Sequence, residues 1–179
     1  NEIGISIMKI VEELDSGPVS NIYKFKLENN KNSQEISERL SLLAAEKILD
    51  EIDNILDDNV KFTDQEHSKA TYAKKIDKVE GVINWNDKAD LILGKINGLS
   101  PSPGAFFTFN GERYKILKAE ISNGLGKAGE VLNDTLEIAC SYNKSIKILE
   151  IQRQGKNSQK TREFMLGSQI KKGAIISNV

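Results

Sequence analysis

The sequence has few of the residues that form disulfides, ligate metals or kink the backbone: one cysteine, one histidine and three prolines among 179 residues. The single cysteine, Cys140, excludes an internal disulfide and fits a reducing compartment. No apolar run approaches the roughly 18 residues of a membrane-spanning helix. The first ten residues lack the basic start and apolar core of a signal peptide. We therefore expect a cytoplasmic protein outside the membrane. Because the first residue is Asn1 rather than Met, we also expect a fragment or a processed chain.

The sequence also lacks the short motifs of several common enzyme classes. It contains no phosphate-binding P-loop, no Rossmann glycine fingerprint, no Cys/His spacing for a metal and no nucleophile elbow. The only histidine, His67, lies in a polar segment and is expected to be solvated rather than catalytic. Cys140 has apolar neighbours, which favours a buried, inert thiol over a nucleophile. We therefore expect no metal site.

The net charge of −1 conceals an uneven distribution of charge. Residues 1–77 carry 10 basic and 16 acidic side chains, a net −6, whereas residues 78–179 carry 15 and 10, a net +5. Such asymmetry between halves is typical of two modules, one of which can meet a polyanion. A solvated charged face is the alternative explanation of the basic half.

The first third of the chain predicts two strands and one helix. Apolar residues alternate over Gly4–Ile10 and Val19–Leu27, and a segment rich in turn-forming residues joins these strands. An amphipathic helix is expected to begin at Asn32 or Ser33 and to run to about Leu56. These elements bury too little apolar surface to form a free domain, so they are expected to complete a larger one.

The remainder of the chain predicts a polar linker and then a small barrel. The segment "GVINW" predicts a short strand, and Asp87 is expected to cap a helix. Asn110-Gly111 is a strong hairpin signal, and a second turn is expected at Asn143-Lys144. Several short strands with a helix in about 100 residues are typical of a small barrel. The predicted boundaries are residues 1–58, a linker at 59–77 and the barrel at 78–179.

Basic residues at the end of the linker and in the barrel are the candidate ligands for a polyanion. Phosphate contacts need cations at a surface but no strict spacing. Along one predicted strand, a period of two places Arg113 and Lys115 on one face and Lys118 on the opposite face. The candidates are Lys74, Lys75, Lys78, Arg113, Lys115, Lys118, Arg153 and Lys156.

The order of residues resembles the methionyl-tRNA formyltransferase family. The blocks that carry the resemblance are "GISIMKI…LDSGPV", "ATYAKKI…GVINW", "INGLSPSPGAFF", "GERYKILKAE", "GEVL", "LEIQRQGKNSQ" and "FMLGSQIKKG". They span most of this chain but only the C-terminal part of the family's chain. The resemblance implies an α+β fragment, in which the tail of a Rossmann-like α/β formyltransferase domain precedes an OB-like β-barrel C-terminal domain. One departure is Ser102, which stands where the family often has Trp.

The resemblance implies a catalytic role for Asp15. The motif "LDSGP" matches the family's block around its catalytic carboxylate, which works there with an Asn and a His that lie upstream of this segment. A carboxylate can position an amine and manage its proton, and an amide donor stabilises a developing oxyanion. The implied reaction transfers a formyl group from 10-formyltetrahydrofolate to initiator methionyl-tRNA in translation initiation. Without the Asn and the His, this chain alone is expected to be inactive.

The resemblance also implies partners for the basic half. The second domain of the family contacts tRNA, and Lys75 in "TYAKKI" matches a commonly basic position, which makes it the first candidate for a phosphate contact. Lys74 and Lys78 are supporting candidates. We expect a monomer that binds tRNA and the folate co-substrate. Two alternatives stay open: a sugar-nucleotide N-formyltransferase, and a fragment that acts only as a nucleic-acid-binding module.

Overall fold

The computed structural model describes residues 2–28 and 31–177. They form two compact units, whose main boundary falls between residues 75 and 76; residues 32–34 belong to the second unit. The first unit holds the described residues up to 31 together with 35–75. The second unit holds 32–34 together with the described residues from 76 onward.

The first unit contains an antiparallel strand pair and nearly all of a long helix. Strands β1 (Glu2–Met8) and β2 (Val19–Lys26) pair with Ile5 opposite Tyr23. Helix α1 covers Ser33–Leu56. These elements confirm the predicted strands and helix, although β1 ends two residues earlier than predicted.

Polar and cation–π contacts join α1 to β2 within the first unit. The Arg39 guanidinium lies 4.0 Å from the centre of the Phe25 ring. The Glu51 carboxylate accepts a hydrogen bond from the Asn21 amide at 2.7 Å and another from the Tyr23 hydroxyl. The bond to Glu51 raises the pKa of Tyr23. Among the described residues of α1, none is fully buried.

The second unit contains a five-stranded antiparallel sheet and two α-helices. The sheet order is β3-β4-β6-β5, and β7 pairs with the part of β6 that β5 leaves uncovered. The elements, in chain order, are α2 (Ala89–Leu99), β3 (Ala105–Phe109), β4 (Glu112–Ser122), β5 (Glu137–Cys140), β6 (Lys144–Arg153), β7 (Ser158–Lys160) and α3 (Thr161–Gly167). Short 3-10 helices cover His67–Lys69 in the first unit and Lys78–Gly81 in the second.

Two tight turns connect neighbouring strands. Asn110 and Gly111 have φ angles of 50° and 76°, which confirms the predicted hairpin between β3 and β4. The turn between β5 and β6 uses Tyr142 and Asn143, with φ angles of 61° and 56°, and so lies one residue before the predicted position. Both pairs adopt the left-handed backbone that two-residue hairpin loops of type I′ require.

A local change of register in the β4–β6 pair corrects one prediction about the basic residues. Ile116 pairs with Ile151 and Lys118 with Glu150, so the register skips Leu117 on β4. A bulge of this kind inverts the alternation of side chains beyond it. Lys118 is consequently exposed, on the outer face, together with Arg113 and Lys115 rather than opposite to them.

The core of the second unit lies between α2 and the inner face of the sheet. The Phe107 ring stacks on Tyr114 with centroids 5.4 Å apart and meets the edge of Trp85 at 6.0 Å. The largest fully buried side chains are Trp85, Phe107, Ile83, Ile92, Ile96, Ile116, Leu136, Ile138, Ile146, Ile148, Ile151 and Ile170.

Two further predictions about the start of this unit are wrong. The segment "GVINW" forms no strand; its Gly81 ends the 3-10 helix, and Val82 makes a single bridge to Phe106. The N-cap of α2 is Lys88 rather than Asp87, and among the described residues no side-chain hydrogen bond caps the helix; the Asp87 carboxylate accepts a hydrogen bond from the Asn84 amide at 3.0 Å.

The fold class is confirmed as α+β, with the sheet of the second unit curled into an OB-like half-barrel. In the ranges 2–28 and 31–177, no helix has both the length and the apolar character needed to cross a bilayer.

Candidate functional site

Asp15 lies in the loop between β1 and β2. Its side chain is exposed and its backbone has a φ angle of 55°. The backbone N–H of Lys9 donates to the Pro18 carbonyl oxygen at 3.0 Å and closes the base of the loop. Gly17 is buried, and a Cβ at this position would lie 1.8 Å from the Lys9 carbonyl oxygen. The loop therefore requires glycine two residues after Asp15.

The segment 62–65 packs against this loop. Val19 and Thr63 form an antiparallel bridge, and the Lys9 ammonium lies 4.4 Å from the centre of the Phe62 ring. The side-chain amide of Gln65 donates to the carbonyl oxygens of Asp15 at 2.9 Å and of Gly17 at 2.7 Å. Sequence reasoning missed Gln65, because a glutamine in a polar, aperiodic segment gives no signal of these contacts.

Asp15 offers an exposed carboxylate on a loop whose backbone is held on two sides. Such a group can accept a hydrogen bond from an amine or take up a proton from it. Lys74 and Lys75 belong to the same unit as Asp15, whereas the other predicted cations belong to the second unit. Lys74, Lys75 and Lys78 are all exposed.

Two predicted cations on β4 are held by neighbours within the second unit. The Arg113 guanidinium lies 4.5 Å from the centre of the Phe106 ring. The Lys115 ammonium donates to the Pro101 carbonyl oxygen at 3.1 Å. Partial burial, with a smaller effect of the nearby Arg113 charge, lowers the pKa of Lys115. One of the three N–H donors of Lys115 is therefore already used within the protein.

Arg153 is compensated by an acidic partner. Its guanidinium forms an ion pair and hydrogen bond with the Glu112 carboxylate, which also accepts a bond from the Tyr114 hydroxyl at 2.8 Å. The bond from Arg153, followed by that from Tyr114, lowers the pKa of Glu112. Lys156 is exposed at the rim of an adjoining polar cleft of about 450 Å³, which is also lined by Arg153 and Glu163.

The remaining outer-face cation of β4, Lys118, belongs to a cross-strand row. Its partner in the register is Glu150 on β6, which in turn pairs with Lys160 on β7. Lys118 and Lys160 are both exposed. This row carries two cations and one acid on the outer face of the sheet.

The other residues considered for chemistry have ordinary environments. Cys140 is buried, and burial raises the pKa of its thiol. His67 is exposed in a 3-10 helix. Across the described ranges, no group of three or more His, Cys, Asp and Glu side chains could hold a metal ion.

The second unit is thus an OB-like half-barrel with a basic outer face, joined in sequence to a unit that presents an exposed aspartate. Residues 75–169 match the family model described as "Formyl transferase, C-terminal domain". The chain belongs to this family.

Individual relatives agree with the family match. A methionyl-tRNA formyltransferase of Pelagibacter ubique is 59% identical over 178 residues, which cover 99% of this chain and 57% of the relative. The chain therefore spans little more than half the length of that protein.

Solved structures share the fold at low sequence identity. HypX from Aquifex aeolicus, in complex with tetrahydrofolic acid, superposes with a TM-score of 0.73 at 20% identity, over 96% of this chain and 31% of that one. An N-formyltransferase from Helicobacter canadensis, in complex with folinic acid and dTDP-3-aminofucose, superposes with a TM-score of 0.65 at 17% identity, over 85% of this chain and 56% of that one.

Proposed function

We propose that the whole protein transfers a formyl group from 10-formyltetrahydrofolate to the amino group of initiator methionyl-tRNA in translation initiation. The observation that carries this proposal is the 59% identity to a methionyl-tRNA formyltransferase over almost the whole chain. In this assignment residues 1–58 complete a Rossmann-like formyltransferase domain, 59–77 form the linker and 78–179 form the OB-like domain.

The proposed catalytic residue of this chain is Asp15. Its exposed carboxylate accepts a hydrogen bond from the methionyl amine, orients it toward the formyl carbon and takes part in removing its proton. The folate co-substrate is supported by two proteins of similar fold, which are in complex with tetrahydrofolic acid and with folinic acid.

The proposed tRNA contacts are the eight predicted cations, with unequal contributions. Lys74, Lys75 and Lys78 are exposed, and so are Lys118 and Lys156. We expect these five to contribute most, because an exposed ammonium can reach a phosphate without breaking a structural contact.

The other three cations already make contacts with the protein. The charge of Arg153 is already compensated by Glu112, and Lys115 already uses one of its donors on the Pro101 carbonyl. Arg113 can keep its contact with Phe106 while its guanidinium edge meets a phosphate. We therefore expect smaller contributions from Arg153 and Lys115 than from Arg113.

Binding of tRNA across a salt series tests the interface. The logarithm of the affinity should fall linearly with the logarithm of salt concentration, and Lys75→Ala should reduce the slope by about one unit. Lys47→Ala is the matched control, because Lys47 is already paired with Glu46 at 2.8 Å and Asp50 at 2.9 Å. If wild type and Lys75→Ala give the same slope, Lys75 is not part of the tRNA interface.

A sugar-nucleotide N-formyltransferase is the second candidate, favoured by the similar fold of the Helicobacter canadensis enzyme. An assay of the whole protein with methionyl-tRNA and with a dTDP-aminosugar as acceptors separates the two functions. If this chain binds tRNA but the whole protein formylates neither acceptor, the nucleic-acid-binding module is the better description.

A further inference from the structure

We propose that Gln65 is a positioning residue, which holds the loop of Asp15 in the conformation needed for formyl transfer. The inference rests on the proposed function, because it requires Asp15 to be the catalytic carboxylate. It adds a residue that lies 50 positions away in the sequence and in the segment that the sequence pattern assigns to a linker.

The geometry uses both hydrogens of one amide group. Nε2 of Gln65 lies 2.9 Å from the carbonyl oxygen of Asp15 and 2.7 Å from that of Gly17, on the two sides of Ser16. A primary amide has two N–H donors, so each carbonyl receives one. The Met8 sulfur also lies 4.0 Å from Nε2, but a thioether is a weak acceptor.

The loop needs such a contact because Asp15 has a φ angle of 55°. Residues other than glycine adopt this left-handed conformation at a cost, and aspartate tolerates it better than most. Rotation of the backbone to an extended conformation would turn both the carbonyl and the side chain of Asp15. The bond from Gln65 to this carbonyl stabilises the left-handed conformation and thereby fixes the direction of the carboxylate.

Gln65 is itself held by neighbouring contacts. Thr63, two residues earlier, exchanges backbone hydrogen bonds with Val19 at 2.8 and 2.9 Å. Gly17 packs against the Lys9 carbonyl, and Lys9 also bonds to Pro18. The backbone is therefore constrained on both sides of the contact. Gln65 can fix the position of the loop instead of moving with it.

The test measures formylation of methionyl-tRNA by the whole protein with 10-formyltetrahydrofolate. Gln65→Ala removes the amide, and Gln65→Glu keeps the size of the side chain but replaces its donors with acceptors. Both variants should lower kcat by about 10- to 100-fold, the loss typical of a misplaced catalytic group. KM for both substrates should stay within about twofold, because ground-state binding is not altered.

A matched control and a double variant separate positioning from general stability. Gln152→Ala removes another glutamine whose amide donates to a backbone carbonyl, that of Lys156 at 2.9 Å, and should leave kcat unchanged. In an Asp15→Ala background, Gln65→Ala should have no further effect on kcat, since Gln65 acts through Asp15.

The outcomes distinguish this inference from the proposed function. If Asp15→Ala keeps the wild-type kcat, the catalytic role of Asp15 is wrong and the inference fails with it. If Asp15→Ala lowers kcat while both Gln65 variants do not, the inference alone is wrong. An equal loss from Gln65→Ala with and without Asp15 also contradicts it. So would loss of the folded state in both Gln65 variants, because Gln65 would then be a determinant of stability.

Discussion

Val19 and Thr63 exchange two backbone hydrogen bonds, 2.8 Å from Val19 N to Thr63 O and 2.9 Å from Thr63 N to Val19 O. Thr63 lies in the segment that the sequence pattern assigns to a linker, yet it extends the hydrogen bonding of β2. The first residues of that segment are therefore part of the first unit, and they place Gln65 beside the loop of Asp15.

Replacing Thr63 by proline should weaken this bridge. Thr63→Pro removes the N–H that donates to Val19 and should lower the free energy of unfolding by about 1 kcal/mol, the net value of one such bond. Thr63→Ala keeps the N–H and should be nearly neutral. Urea unfolding followed by far-UV circular dichroism, which includes the signal of α1, gives both values; equal stability of the two variants would show that the bridge contributes nothing.

Two glycines with open space around them should respond to alanine in opposite directions. A Cβ at Gly94, in α2, or at Gly111, in the β3–β4 turn, meets no atom within 4 Å, but Gly111 has a φ angle of 76°. Gly94→Ala should stabilise the protein by about 0.5–1 kcal/mol, because alanine is the better helix former. Gly111→Ala should destabilise it by about 1–2 kcal/mol, because of the left-handed backbone. Thermal unfolding of both variants checks the signs, and a shift in the same direction would contradict the argument.

Truncation of Phe107 should be costly. The side chain is 1% exposed and contacts Trp85 and Tyr114. Phe107→Ala should lower the free energy of unfolding by about 3–5 kcal/mol, through lost burial and a residual cavity. Leu91→Ala is the control, since Leu91 is 65% exposed; it should change stability by less than about 0.5 kcal/mol. Denaturation followed by Trp85 fluorescence measures both, and similar losses would place Phe107 outside the core that stabilises this unit.

The Glu137 carboxylate should make stability depend on pH. It accepts bonds from the Ser145 hydroxyl at 2.6 Å and the Asn133 amide at 2.7 Å, and the bond from Ser145 is the main cause of its lowered pKa. A carboxylate with a lowered folded-state pKa stabilises the protein above its unfolded-state pKa, about 4.3, and loses this contribution as pH falls through the folded-state value.

Glu137→Gln should therefore be less stable than wild type at neutral pH, and the difference should shrink in acid. Denaturant unfolding of both proteins at about pH 7 and about pH 3 measures it. Ser145→Ala, which removes the main donor, should reduce the pH dependence that Glu137 causes. A difference between wild type and Glu137→Gln that is constant with pH would exclude this carboxylate as the cause.

Local patterns were sufficient for the elements whose signal lies within a few residues. The periodicity of α1 and the Asn110-Gly111 pair predicted a helix and a hairpin close to the observed ones. The register in β4 could not be predicted in this way, because "KILKAEI" fits either phase of alternation around Leu117. Pairing with β6 decides the phase, and that pairing joins residues far apart in sequence.

The candidate site was predictable to a smaller extent. Asp15 was identified by resemblance, since an aspartate before Ser-Gly-Pro is also an ordinary turn residue. Composition was enough to expect that the basic side chains are exposed. It could not show which of them are already bonded to other groups of the protein. Arg153 meets Glu112 from 41 residues away, and Lys115 meets the carbonyl of Pro101 from 14 residues away. Such contacts depend on the tertiary fold and leave no local pattern.

The bonds from Gln65 to the loop end on carbonyl oxygens, which every amino acid possesses. Position 16 lies between the two carbonyls, and its own side chain points to neither of them; the Ser16 hydroxyl bonds instead to the Glu13 carbonyl at 3.0 Å. These bonds do not depend on which side chain is present at position 16. Evolution could therefore exchange the residue at position 16 while the shape of the loop, and the direction of its aspartate, stayed the same.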